Sequence, residues 1–195
     1  LLNVFAFLLL TVGVNFLSAF LTLSASLFYI FVYTSWLKRT TPHNIVIGGA
    51  AGAIPPLVGW AAVTGGLGLP AVYLFSIIFF WTPPHFWALT LARPGEYARA
   101  GVPMLPVTAG EAATRRHITA YAVALLLASL AIGWQAGLGY PYFAAAALLG
   151  GRFVQLALAL QRTPTEPAAW AVFGYSNAYL FLLFGAIIAD IGWVG

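Results

Sequence analysis

Charged residues are rare in this chain and are confined to alternate gaps between long apolar runs. Only eight Lys or Arg and four Asp or Glu occur among 195 residues. Ten of these twelve lie in three gaps, at 38–39, 93–116 and 162–166, and the gaps between them carry no charge. A soluble domain is charged at about a quarter of its positions. Cations that alternate in this way indicate a chain that crosses a bilayer repeatedly.

Composition supports this interpretation and excludes several classes of function. Hydrophobic residues make up 62% of the chain and charged residues 6%, with a mean hydropathy of +0.94. The net charge of +4 is not gathered into the dense basic stripe that nucleic acid requires, so no nucleic-acid partner is expected. The absence of cysteine excludes disulfides, thiolate metal sites and thiol catalysis.

The apolar runs predict an all-α polytopic transmembrane bundle forming a single domain over 1–195. Each run is close to the twenty or so residues that a helix needs to cross a bilayer. A first run of twelve residues would span only about 18 Å, and the chain lacks an initiator Met. We therefore expect an N-terminal portion to be missing. The predicted segments are a stub at 1–12 and full spans at 16–37, 43–64, 70–92, 117–135, 141–161 and 170–192.

The positive-inside rule predicts the orientation. All three cationic gaps would face the cytoplasm, and the C-terminus would face outward. Two charges fall inside spans. Arg152 is expected to face a cavity or a partner unless it snorkels, and Asp190 is expected to be solvated near the outer end of the last span.

Lys38 and Arg39 end one span and admit two interpretations. Two cations at the inner end of a helix interact favourably with its dipole. The same pair could instead form an anion clamp, since Lys and Arg supply several donors to phosphate oxygens. The two residues alone do not decide between these.

Two proline pairs lie inside spans. Pro55-Pro56 and Pro83-Pro84 each remove amide donors, so we expect both helices to break where protein or a cavity takes up the freed carbonyls. His85 follows the second pair and is either a functional residue or a neutral His bonded to a carbonyl. The surrounding aromatics are either an interfacial belt or the wall of a pocket for a large flat ligand. Earlier, Gly48 and Gly52 form a GxxxG pair that predicts close helix packing.

The longest polar segment, 93–116, carries four arginines and two glutamates together with the stiff apolar run 102–106. A plain connector needs neither feature. We expect it to form a lid over the inner mouth of the bundle, which would exclude water from a reactive intermediate.

Four ordered blocks carry a resemblance that covers nearly the whole chain. They are Tyr-Thr-Ser-Trp-Leu-Lys-Arg at 33–39, Thr-Pro-His-Asn-Ile-Val-Ile-Gly-Gly-Ala-Ala-Gly-Ala-Ile-Pro-Pro at 41–56, Trp-Thr-Pro-Pro-His-Phe-Trp at 81–87, and Tyr-Ala-Arg-Ala-Gly-Val-Pro-Met-Leu-Pro at 97–106. Together they resemble the protoheme IX farnesyltransferase branch of the UbiA family of intramembrane prenyltransferases.

The resemblance implies a bundle of nine spans around a cavity open to the cytoplasm and to lipid, with about seven of the nine present here. It implies that the first aspartate-rich motif, which binds Mg²⁺–diphosphate in the family, is missing together with the first two spans. Where relatives often carry adjacent acidic residues, this chain has Pro94-Gly95-Glu96. That leaves Glu96 as a weak metal ligand.

The resemblance also implies an activity: transfer of a farnesyl group from farnesyl diphosphate to a vinyl group of haem b. The product is haem O, for cytochrome oxidase. It implies a multi-pass protein of the bacterial inner membrane, with its active site facing the cytoplasm and with partners in haem biosynthesis or oxidase assembly. The residues that it assigns to diphosphate stabilisation are Lys38, Arg39, Arg99, Arg115 and Arg116. Tyr33, Asn44, His85 and Tyr97 are predicted to bind substrate, and so is Arg152 because its charge lies inside a span.

Three alternatives remain open from the sequence. A UbiA-type enzyme could instead prenylate an aromatic acid or a quinone precursor, although the block at 81–87 argues against this. Proline-broken helices and an intramembrane Arg also mark small transporters, but no internal repeat is visible. The fragment on its own could also be inactive.

Overall fold

The computed structural model describes residues 1–93 and 95–194, with side chains described through residue 191. No strand occurs among these residues, which confirms the all-α prediction. The helices are α1 (Leu2–Gly13), α2 (Phe16–Leu27), a π-helix (Phe28–Leu37), α3 (Lys38–Thr40), α4 (Asn44–Gly52), α5 (Pro55–Thr64), α6 (Leu69–Ala92), α7 (Glu96–Arg99), α8 (Leu105–Thr108), α9 (Glu111–Ala136), α10 (Tyr140–Arg162) and α11 (Glu166–Val194).

Six helical segments of the described chain are long and apolar enough to cross a membrane, and they match the predicted spans. They are Phe16–Thr40, Asn44–Thr64, Leu69–Ala92, Glu111–Ala136, Tyr140–Arg162 and Glu166–Ile191. The predicted interruption after the first run is confirmed at Asn15. Its side chain accepts a hydrogen bond from Ser18 N at 2.8 Å and so caps α2.

The two proline pairs behave differently. The first break is confirmed, because α4 ends at Gly52 and α5 begins at Pro55. The second prediction is wrong, because α6 continues through Pro83 and Pro84 to Ala92. Both prolines are buried, and α6 packs on α4, α5, α9 and α11, an environment in which a helix tolerates proline.

The segment Phe28–Leu37 was predicted as ordinary α-helix but has π geometry. Two of its side chains follow the same register: Thr34 Oγ1 donates to the Tyr29 carbonyl and Ser35 Oγ to the Ile30 carbonyl, each 2.9 Å away and five residues back. π-Helical segments are rare and often lie at functional sites.

Helix α6 is the centre of the packing. It contacts α9 and α11 on one side and α4 and α5 on the other, while α10 packs between α9 and α11. Helix α2 lies on α5, and the π-helix lies on α4. The molecule therefore has two groups of helices with α6 between them.

The ends of the bundle are distinguished by charge. Arg93 lies 5.6 Å above the Trp170 ring, so the segment after α6 meets the start of α11 at the charged end. At the opposite end, Gly139 N donates to Asp190 Oδ2 at 2.7 Å. Asp190 is only 5% exposed. The expectation that Asp190 is solvated is therefore wrong, because its carboxylate caps the N-terminus of α10.

Candidate functional site

A cavity of about 510 Å³ lies between α2, the π-helix, α4 and α6; we call it the main cavity. Its lining is mostly apolar and aromatic, as is usual in sites for small organic ligands. The lining residues are Ala25, Ser26, Tyr29, Tyr33, Ile45, Gly48, Gly49, Ala51, Gly52, Ile78, Trp81, Thr82 and Phe86.

Glycines of α4 form one wall of the main cavity. A methyl group at Gly48 would overlap the Tyr33 ring, and one at Gly49 would lie 3.0 Å from Thr82 Cγ2. A methyl group at Gly52 would meet nothing within 4 Å. The predicted close packing therefore holds at Gly48, where a ring approaches the backbone, whereas Gly52 faces open space.

Aromatic side chains form the rest of the wall. Tyr29 and Tyr33 come from the π-helix, with ring centroids 5.3 Å apart. Trp81 and Phe86 come from α6, where the sequence left open either a belt or a pocket wall. In the structure both line the cavity.

A second cavity of about 740 Å³ lies between α5, α6 and α11, nearer the uncharged end; we call it the outer cavity. It is lined by Pro55, Pro56, Gly59, Trp60, Val63, Thr64, Leu74, Ile78 and Phe184. Ile78 of α6 lines both cavities.

Two of the predicted cations lie beside the elements that line the main cavity. Lys38 and Arg39 are exposed where the π-helix passes into α3, after Tyr33. Helix α3 contacts the π-helix and α4, which both line the cavity. Arg99 is exposed on the short helix α7, in the segment that follows α6. Tyr97 of α7 packs against the hydrophobic core.

Asn44 is fully buried at the start of α4. Its Nδ2 donates to the Lys38 carbonyl at 3.5 Å, and its Oδ1 has no partner in the described structure. A buried acceptor without a partner is uncommon and invites an explanation. Asn44 Oδ1 can accept a hydrogen bond from a donor group, whereas an ionised carboxylate has no hydrogen to donate to it.

His85 faces α11 and is not among the residues that line the main cavity. Its ring stacks between Trp81 and Phe173, at centroid distances of 4.2 and 4.6 Å. Ser176 Oγ donates to the Phe173 carbonyl at 2.6 Å, so its oxygen accepts from His85 Nδ1–H at 2.7 Å. His85 thus supports Trp81, a wall residue, from behind.

Arg115 lies on the other side of α6 from the main cavity. It contacts Glu111 at 3.2 Å and lines a pocket of about 170 Å³ where α6, α9 and the α10–α11 connection meet. Arg116, the next residue, is exposed. The structure therefore does not bring Arg115 to Lys38 and Arg39 as the sequence predicted.

Arg152 is also outside the main cavity. It is exposed on α10, and its guanidinium donates to Gln155 Oε1 at 2.6 Å. Within the described residues it faces the surface, so the alternative in which this side chain snorkels agrees better with its position.

The apolar part of the 93–116 segment is packed rather than free. Met104 is 2% exposed and Leu105 is 6% exposed, and both belong to the hydrophobic core. Helix α8 contacts α6 and α9. This run therefore packs on the protein, and its role as a lid stays a prediction.

Comparison with known proteins agrees with this architecture. The model of the UbiA prenyltransferase family matches residues 1–192. The chain belongs to the UbiA prenyltransferase family. It is therefore a multi-pass membrane protein of a prenyltransferase fold, as the resemblance implied. No solved structure matches the chain.

Curated relatives narrow the similarity within the UbiA family. The chain is 53% identical over 189 residues to "Protoheme IX farnesyltransferase" of Roseiflexus sp. (strain RS-1), covering 97% of this chain and 35% of that protein. It is 50% identical to "Protoheme IX farnesyltransferase" of Parvibaculum lavamentivorans, covering 97% and 61%. It is 53% identical to "Protoheme IX farnesyltransferase 2" of Mesorhizobium japonicum, covering 97% and 62%. The chain thus spans between one third and two thirds of the length of these relatives.

The described residues of this chain do not by themselves gather a full set of protein ligands for magnesium. No group of three or more His, Asp or Glu gathers among them. Glu96 pairs with Arg93 at 3.7 Å, and both side chains are half exposed. Gly95 has φ +82°, a conformation that favours glycine, which accounts for a missing acidic side chain there. Pro94 lies outside the described residues.

Several wall residues of the main cavity were not singled out from the sequence. Tyr29 lies one helical turn before Tyr33, and that spacing was the available signal. Thr82 lies within the block 81–87, and its place in that block was the signal available for it. Ile78 carried no signal, because nothing in its sequence context separates it from an ordinary core residue.

Proposed function

We propose that the complete protein transfers a farnesyl group from farnesyl diphosphate to a vinyl group of haem b, producing haem O. The similarity to three proteins named protoheme IX farnesyltransferase, at 50–53% identity, is the observation that carries this proposal. The apolar main cavity beside exposed cations supports it, because the substrate joins a hydrocarbon tail to an anionic head.

Lys38, Arg39 and Arg99 bind the diphosphate in this proposal. Lys38 and Arg39 follow the π-helix that lines the main cavity, and Arg99 lies in the charged segment after α6. Charged hydrogen bonds are worth about 1.5–3 kcal/mol each. Arg115 and Arg116 were predicted for the same role. The ion pair of Arg115 with Glu111, beside Thr165 and Glu166, favours a role in joining α9 to the α10–α11 connection.

The farnesyl tail occupies the main cavity, in contact with Tyr29, Tyr33, Trp81 and Phe86. Apolar and aromatic walls favour a hydrocarbon and exclude bulk water. Exclusion of water protects an allylic cation from premature hydrolysis. The segment 96–108 limits access from the charged end.

The chemistry that these residues would support proceeds in three steps. The bond between C1 and oxygen breaks, and the diphosphate leaves with the electron pair, stabilised by the cations. The terminal carbon of the haem vinyl group then attacks C1, which places the positive charge on the adjacent carbon. Water adds there and loses a proton, giving the hydroxyethylfarnesyl side chain.

The remaining predicted residues take different parts in this proposal. Tyr33 and Tyr97 contact the substrate near the mouth. Asn44 is fully buried and does not line the main cavity, so it acts by positioning Lys38, whose carbonyl accepts from its Nδ2. His85 acts by positioning Trp81. Contact of Arg152 with substrate finds no support in its exposed position. Mg²⁺ stays a prediction from the resemblance, because no group of three or more His, Asp or Glu gathers among the described residues.

The charged end faces the cytoplasm of the bacterial inner membrane in this proposal. The cations near 38–39, 93–116 and 162 support this orientation through the positive-inside rule. Partners in haem biosynthesis or oxidase assembly also stay a prediction.

The test is direct. Membranes containing the complete protein are incubated with haem b and farnesyl diphosphate, with and without Mg²⁺, and the extracted haem is analysed by mass spectrometry. We expect a species heavier than haem b by one farnesyl group plus one hydroxyl group. Absence of that product would contradict the proposal. A prenylated quinone precursor would indicate the other UbiA-type reaction, and uptake without a covalent product would indicate a transporter.

A further inference from the structure

The main cavity and the outer cavity lie in line along one seam, between α4–α5 and α6. Lining residues of α4 face the main cavity, whereas Pro55, Pro56 and Gly59 of α5 face the outer one. The interruption between α4 and α5 therefore coincides with the change from one cavity to the other.

Helix α6 forms the opposite side of the seam along its whole inner face. Phe86 and Trp81 face the main cavity, and Leu74 faces the outer one. Ile78 lies between them and lines both. At 1.5 Å per residue, Ile78 is about 12 Å along the axis from Phe86 and about 6 Å from Leu74.

We infer that Ile78 determines the length of isoprenoid tail that the protein accepts. This inference rests on the proposed function, because it takes the tail to enter from the charged end with its diphosphate beside Lys38 and Arg39. A tail in that orientation fills the main cavity and ends against Ile78. Any further isoprene unit must pass this side chain to reach the outer cavity.

The Ile78 side chain and the lining of the outer cavity beyond it both suit this role. The β-branched side chain of Ile78 has few rotamers, so it does not swing aside easily. Beyond it, the outer cavity is lined by apolar groups such as Val63, Leu74 and Phe184, so a longer hydrocarbon would be well accommodated there. The barrier at Ile78, rather than a lack of space, therefore limits the tail.

The experiment offers the complete protein equal amounts of geranyl, farnesyl and geranylgeranyl diphosphate together with haem b. Mass spectrometry then gives the ratio of the three prenylated products. Ile78→Ala joins the two cavities, and we expect the geranylgeranyl-to-farnesyl ratio to rise about tenfold or more. Ile78→Phe extends the barrier into the main cavity, and we expect the ratio to shift toward the geranyl product.

Two further variants test whether the extra isoprene unit lies in the outer cavity. A methyl group at Gly59 would meet nothing within 4 Å, so Gly59→Leu can fill the outer cavity. Ile78→Ala with Gly59→Leu should therefore return the ratio to the wild-type value. Val72→Ala, at an exposed position of α6, is the matched control and should leave the ratio unchanged.

The possible failures are distinguishable. If farnesyl transfer persists and Ile78→Ala leaves the ratio unchanged, the inference is overturned while the proposed function stands. If the geranylgeranyl-to-farnesyl ratio stays raised in Ile78→Ala with Gly59→Leu, the inference is also overturned, because the extra isoprene unit would then lie outside the outer cavity. If no prenylated haem forms at all, the proposed function fails. The inference is then tested by the rise in melting temperature that each of the three diphosphates causes. If the three diphosphates stabilise Ile78→Ala in the same proportions as wild type, the inference is contradicted.

Discussion

At the scale of single residues, Gly48 determines how closely the π-helix approaches α4. The Tyr33 ring occupies the space that a side chain at Gly48 would need. That contact fixes one wall of the main cavity, since Tyr33 lines it.

A matched pair of glycine substitutions tests this contact. Gly48→Ala should lower the stability by about 1–3 kcal/mol, because the new methyl group displaces Tyr33. Gly52→Ala, on the same helix but facing open space, should be neutral or stabilising by up to about 1 kcal/mol. Thermal unfolding in detergent measures both. Equal effects of the two substitutions would show that Tyr33 does not pack on Gly48.

The hydrogen bond between His85 and Ser176 allows a second residue-scale test. Ser176→Ala leaves the buried Nδ1–H of His85 without its acceptor, at a cost of about 1–3 kcal/mol. Ser76→Ala is the control, because that hydroxyl donates only to the Val72 carbonyl of its own helix. Since His85 supports Trp81 from behind, we expect lower stability with little change in KM for haem. A large rise in KM at unchanged stability would instead place His85 against the substrate.

At this scale the sequence showed which residue types mark the site, but not the direction in which each side chain points from its helix. The block 81–87 marked an important region, but periodicity could not show that Trp81 turns to the cavity while His85 turns to α11. The direction of a side chain on a helix depends on which neighbours surround it. Apolar residues of α6 face its neighbouring helices and also its exposed side, as at Val72, so no face stands out in the sequence.

At the scale of elements, α6 separates two sets of charged residues. Lys38 and Arg39 lie on the side of the main cavity, and Arg115 pairs with Glu111 on the other side. The separation could not be predicted, because charge alone assigns both sets to the same end of the bundle.

This separation predicts different outcomes for the two sets. Lys38→Ala with Arg39→Ala should raise KM for farnesyl diphosphate about 10- to 100-fold or more, through loss of charged contacts. Arg115→Ala should change KM much less and act mainly on stability. Steady-state kinetics with a product assay measures both. A larger KM effect for Arg115→Ala would restore that residue to the diphosphate site.

The second prediction at this scale concerns the packed segment around α8. Met104→Ser places a hydroxyl in the core and should loosen the segment, so proteases added at the charged end should cleave it faster. Val107→Ser, at a 47% exposed position, is the control and should cleave at the wild-type rate. Equal rates for the two variants would show that Met104 does not hold the segment in place.

At the scale of the whole molecule, the spans were predictable because each is set by the thickness of the bilayer. The π geometry of Phe28–Leu37 and the continuity of α6 through Pro83-Pro84 were not, because both depend on packing between helices. The cavities were not predictable either, because they form between helices that are distant in sequence.

The central claim is that exposed cations at one end of the bundle mark the entrance to the main cavity. Residues 1–195 contain no cysteine, so single cysteines are introduced there in the complete protein, with any cysteine elsewhere replaced by serine. Thr40→Cys and Ala98→Cys lie at exposed positions beside Arg39 and Arg99, and Ala136→Cys lies at the opposite end. We predict that an impermeant thiol reagent reaches the first two from the cytoplasmic side only, that farnesyl diphosphate slows their labelling, and that Ala136→Cys reacts from the other side without protection. Labelling of positions 40 and 98 from opposite sides of the membrane, or no protection at either, would contradict the account.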